Sequence, residues 1–102
     1  RTVKHLIVFN APQVPPDRRD EVCLAMARQA REVLTRIPGV TDVAFGVAVS
    51  EQAAYRYLLI VEFADEGVID TYRDHPIHVR FADEVFRPLA VDRITTDFRM
   101  LL

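Results

Sequence analysis

Two segments of the chain are apolar on both faces of an extended strand, and this restricts the folds open to it. In Val3–Phe9 (VKHLIVF) one face reads His5, Ile7, Phe9 and the other Lys4, Leu6, Val8. In Tyr55–Phe63 (YRYLLIVEF) Tyr57, Leu59 and Val61 oppose Leu58 and Ile60. Successive side chains point to opposite sides of a strand, so a sheet with one wet face alternates apolar and polar residues. Neither segment does. Each therefore needs cover on both sides.

The remaining pattern supplies cover for one side. The loop NAPQVPPD carries three prolines, and Asp17 at its end is placed to cap a helix. From Arg18 to Arg36 the apolar positions Val22, Met26, Ala30 and Val33, continuing to Ile37, recur every three or four residues. That is the period of an amphipathic helix, and Pro38–Gly39 stops it. Val40–Val49 alternates, with Val43, Phe45, Val47 and Val49 on one face. A polar Ser50-Glu51-Gln52 turn then leads into the third strand as a hairpin. Asp65 and Glu66 open a second helical stretch with Val68, Ile69 and Tyr72, which Pro76 interrupts. A further segment carries Phe81, Val85 and Phe86 until Pro88 ends it. Val91–Phe98 is the last strand.

The order β-α-β-β-α-β is the split βαβ arrangement of ferredoxin-like domains. It is an α+β fold whose four-stranded antiparallel sheet carries its helices on one face. The open face needs a partner, and a second copy of the chain is the simplest one. A homodimer joined through the sheet face is the expectation.

Composition narrows the function classes. With 102 residues, the span 1–102 reads as a single domain. A formal charge of −2 lacks the basic excess of a nucleic-acid binder. No apolar run approaches the ~20 residues of a membrane span, and the first residues do not read as a secretory signal. The single Cys23 falls in the helical pattern and reads as a buried free thiol, which suits a reducing, cytoplasmic setting.

Chemistry concentrates in YRDHPIHVRF, Tyr72 to Phe81, which holds two of the chain's three histidines on either side of Pro76. Histidine is the side chain that titrates near neutral pH, and a phenol can donate to a developing oxyanion. A bend at Pro76 would aim Tyr72 and His78 into one cavity. His5 shares its strand face with Ile7 and Phe9, so it joins them if that face packs on the helices. Structural roles compete: His75 as punctuation at a helix end, Tyr72 as a core aromatic, His78 and His5 as hydrogen-bonded residues of the fold. Metal binding by His75 and His78 is not expected, because no third ligand or Cys pair accompanies them.

These features together resemble the stress-responsive A/B barrel (Dabb) family. The matching stretches are VKHLIVF, IPGV after the first helix, YRYLLIVEF, the HPxH element with its upstream tyrosine, and a terminal strand ending DF. The resemblance covers nearly the whole chain. It implies a dimeric α/β barrel with a pocket between helices and sheet. By likeness to the family's plant polyketide cyclases, it further implies a cofactor-free cyclase that performs an intramolecular aldol condensation, a lyase-type reaction. On that likeness Tyr72 and His78 carry catalysis, and His5, Ile7, Tyr57 and Phe81 line the site of a small hydrophobic or polyketide-like ligand. Those cyclases carry a histidine where Tyr57 stands, which points to a differently shaped pocket. A non-catalytic, stress-responsive or ligand-binding homodimer is the alternative, and a purely structural dimer a further one.

Overall fold

The structure is a computed structural model that describes Arg1–Leu102. The two strands apolar on both faces take the centre of the sheet. β1 (Val3–Asn10) lies between β3 (Tyr57–Phe63) and β4 (Asp92–Arg99), and β2 (Val40–Val47) forms the other edge beyond β3. All three pairings are antiparallel, with Ile7 opposite both Leu59 and Thr95. α1 (Arg19–Leu34) comes after a short 3-10 turn at Pro16–Arg18. The second helical layer runs as α2 (Val68–Asp74), α3 (Pro76–Phe81), a π-helical stretch at Ala82–Phe86, and a last turn α4 (Arg87–Leu89). The split βαβ order and the fold class expected from the pattern hold, with the second helix divided.

Parity decides what lies inside. Val3, Ile7 and Phe9 of β1 and Tyr57, Leu59, Val61 and Phe63 of β3 are buried against Met26, Ala27, Ala30 and Leu34 of α1 and Tyr72, Phe81 and Phe86 of the second layer. The opposite face carries Leu6, Val8, Leu58 and Ile60, none of them fully buried, flanked by Ile94 at 53% and Phe98 at 48% exposure. The helices thus cover one apolar face and leave the other open.

Several local expectations shift. β2 ends at Val47 rather than Val49, and Val49 is fully exposed; β3 begins at Tyr57, two residues later than the pattern suggested. Arg56 causes the change: its guanidinium donates to the carbonyl oxygens of Ala48, Ser50 and Glu51, each at 3.1 Å, and so folds the connection into a loop. Asp17 does not cap α1, since it lies within the 3-10 turn. Arg19 organises the proline loop instead, donating to Ala11, Pro12 and Val14 carbonyls. Pro88 does not end the helix at its own position. It sits in the last helical turn, directly after the π-helical stretch, and the chain leaves helical geometry at Ala90.

Gly39 is required where it stands. Its φ of +89° lies in the left-handed region, and a Cβ there would fall 2.4 Å from Cγ2 of Val68. The IPGV corner is thereby pressed against the start of α2.

Candidate functional site

His75 sits at the joint between two helices and sets the direction of the second. Its ψ of 133° is extended, as the residue before a proline prefers, so α2 stops there and α3 starts at Pro76. Its backbone N–H donates to Tyr72 O at 3.2 Å, and its ring Nδ1 accepts the Ile77 N–H at 3.1 Å. The side chain therefore caps the α3 helix, rather than the last carbonyls of α2.

Across the break the rings of Tyr72 and His78 meet, tilted by 33° with their centroids 4.2 Å apart. His78 Nδ1 lies 2.9 Å from the carbonyl oxygen of Arg73. A carbonyl oxygen only accepts, so Nδ1 carries the proton and Nε2 of the neutral ring keeps a free lone pair. Burial pushes the His78 pKa below the ordinary histidine value, and the nearby charges of His5 and Arg87 act the same way against the Arg73 carbonyl and Asp83. Burial pushes the Tyr72 phenol well above its ordinary range, with a further contribution from Asp97. At neutral pH the pair is an uncharged base beside an intact O–H donor.

His5 enters from β1. Its ring lies 5.8 Å from that of Tyr72, edge on, and 5.8 Å from that of Phe63, stacked. Its Nδ1 donates to the Asp97 carboxylate at 2.5 Å. Asp97 stands directly across from His5 in the β1–β4 register. Sequence reasoning missed Asp97 as a site residue, because only that register, joining positions 92 residues apart, places it there.

His5, Ile7, Tyr72, His78 and Phe81 line one cavity of about 310 Å³ between the sheet and the second helical layer. Leu34, Leu59 and Phe86 close its apolar floor, and Arg73, Arg87 and Arg93 stand around it. The arginines were also missed: spread over α2, α4 and β4, they form no run in the sequence. Tyr57 is not in this cavity. It lies two residues before Leu59 on the same face of β3, stacked with Phe45 and beside Phe9, and its hydroxyl donates to Asp20 Oδ1 at 2.6 Å. Burial and that hydrogen bond raise its pKa far above the ordinary phenol value. The tyrosine that replaces the cyclase histidine is thus tied to α1 at the other end of the strand.

Cys23 is buried on α1, and burial pushes its thiol up to about 11, helped by Asp20. It is a packing residue rather than a nucleophile. No three His, Cys, Asp or Glu side chains converge into a set able to hold a metal ion. No helix is long and apolar enough to cross a membrane.

Comparison with known proteins agrees with the architecture. A protein of the Dabb family from Mesorhizobium loti, with a ferredoxin-like fold, is 25% identical and superposes with a TM-score of 0.79 over 99% of this chain and 98% of its own. A dimeric ferredoxin-like protein of unknown function from Thermobifida fusca is 24% identical, with a TM-score of 0.72 over 97% and 91%. A hydroxynitrile lyase from Passiflora edulis shares the fold at 13% identity, with a TM-score of 0.74 over 98% and 94%. No curated protein sequence matches the chain. The profile of the Stress responsive A/B Barrel Domain matches residues 3–100, from the first residue of β1 to the residue after β4. The chain belongs to the stress-responsive A/B barrel domain family, Dabb.

Proposed function

We propose that the chain acts as a homodimeric, cofactor-independent enzyme of the polyketide-cyclase type, with His78 as base and Tyr72 as oxyanion donor. One observation carries this reading: the Arg73 carbonyl fixes the His78 proton on Nδ1, leaving an unprotonated Nε2 beside the Tyr72 phenol in an apolar cavity. Nε2 takes a proton from a carbon between two carbonyls of a flexible chain. The enolate carbon then attacks a second carbonyl of the same chain. A carbon–carbon bond forms, the attacked C=O becomes an alkoxide that accepts a hydrogen bond from Tyr72, and the His78 imidazolium returns the proton to that oxygen. The proton between two carbonyls is acidic enough for a histidine, and each positioned group contributes roughly 10²–10⁴ in rate. The cavity holds the chain folded for attack. His5, held by Asp97, lines the same wall.

The open sheet face supports the dimer. Its apolar residues Leu6, Val8, Leu58, Ile60, Ile94 and Phe98 need cover, and a structural neighbour of the same fold is dimeric. The hydroxynitrile lyase neighbour supports reading this scaffold as one that hosts lyase chemistry. The test is cyclisation of a linear poly-β-keto substrate by the parent, Tyr72→Phe and His78→Ala, each checked for an unchanged fold. His78→Ala is expected to lose about 10²-fold or more in kcat, and Tyr72→Phe a comparable factor. The double variant should lose less than the product of the two, because both groups serve one transition state. Full activity in both single variants sinks the proposal.

A further inference from the structure

The cavity shared by Tyr72 and His78 is apolar on its floor but cationic around it. Arg73, Arg87 and Arg93 line it, and no Asp or Glu does, although the whole chain carries a net charge of −2. Asp97, the acid on the same face of β4, is engaged by His5. Two of the three arginines have carboxylate neighbours on their own helical segments. Arg73 reaches Asp70 at 3.1 Å and Asp74 at 3.4 Å, and Arg87 reaches Asp83 at 2.9 Å. These are exposed pairs, which hold their partners weakly and exchange them readily.

Arg93 differs. It forms no ion pair, and its one hydrogen bond runs from Nη1 to the Ala90 carbonyl at 2.9 Å. A guanidinium has five N–H donors in a fork that matches a carboxylate or phosphate, so most of this fork is unspent. β4 places Arg93 opposite Phe9 and Thr95 opposite Ile7, so both belong to the face that looks onto the helices. Along the same row Asp97 holds His5. Four residues of strand separate Arg93 from Asp97, about 13 Å, so an anion at Arg93 leaves room for several carbons before the His5, Tyr72 and His78 group. A cavity of about 310 Å³ is at the small end for ligand sites and suits a compact amphiphile.

We infer that this pocket takes an organic anion, a carboxylate or a phosphate monoester at the end of an apolar chain, and that Arg93 anchors the anion. This deepens the proposed function by naming the substrate class, and it rests on that cavity being the ligand site. Arg93 selects and orients the ligand, while Arg87 and Arg73 add favourable charge.

Calorimetric titration of the full chain with octanoate, octyl phosphate and octanol tests it. At least one of the anions should bind about tenfold or more tightly than octanol, and the one that leads names the anion. Arg93→Ala should abolish that margin; Arg93→Lys should keep part of it. Thermal unfolding verifies that both variants fold. Octanol binding as tightly as both anions, an undiminished margin in Arg93→Ala, or no saturable binding of either anion overturns the inference. The margin of anion over octanol, rather than either affinity, should persist in His78→Ala and Tyr72→Phe, so loss of catalysis and loss of anion recognition are read separately.

Discussion

At the scale of single residues, the site depends on which nitrogen of each histidine is already engaged. His5 and His78 both give Nδ1 to an oxygen acceptor, whereas His75 uses Nδ1 as an acceptor for a backbone N–H. His78, its pKa lowered by burial, therefore keeps a free Nε2 in its neutral ring, and His75 is committed to capping a helix. His78 also ties catalysis to pH. Its folded-state pKa lies below that of the unfolded chain, so the unfolded chain binds more protons as pH falls below about 6.5. Stability from this group is therefore present at neutral pH and declines as pH drops through that window. Unfolding temperatures between pH 7.5 and 5 should fall less steeply in His78→Gln than in the parent; identical slopes contradict this assignment. Arg87 is one of the charges that disfavour the His78 imidazolium, so Arg87→Gln should raise the His78 titration midpoint seen by NMR.

At the scale of elements, two corners hold the second helical layer where the site needs it. His75→Ala removes the side-chain acceptor at the start of α3 and should cost about 1 kcal/mol in denaturant unfolding, with His75→Asn recovering most of it. A loss equal in both variants would place the contribution elsewhere in the ring. Gly39→Ala should be costlier, about 1–2 kcal/mol from backbone conformation alone, plus the clash with Val68. Pairing it with Val68→Ala should relieve the clash and leave the conformational part, which a double-mutant cycle measures. The arginines show a related economy. Arg19 and Arg56 satisfy loop carbonyl oxygens, which holds irregular connections without further secondary structure, and Arg31 ties α1 to the Val43 carbonyl of β2.

At the scale of the whole molecule, the helices leave one apolar sheet face uncovered, and the proposed dimer rests on that. Sedimentation at micromolar concentration should give about twice the chain mass, and Ile60→Glu with Phe98→Glu should shift it to monomer, since neither charge finds a partner on that face. A monomeric parent removes the dimer from the proposal. The sequence by itself determined the element order, the two-sided apolar character of β1 and β3, and the closeness of Tyr72 to a helix break, because hydrophobic period and proline stereochemistry act over a few residues. It did not determine the end of β2 at Val47, the capping role of His75, the removal of Tyr57 from the cavity, or the arrival of Asp97 and Arg93 beside β1. Each of those depends on how the assembled chain is paired: Arg56 with its loop carbonyls, the His75 ring with the start of α3, Tyr57 with Asp20, β4 with β1. Local pattern says which face of a strand is buried. Only the assembled sheet decides which distant side chain shares that face.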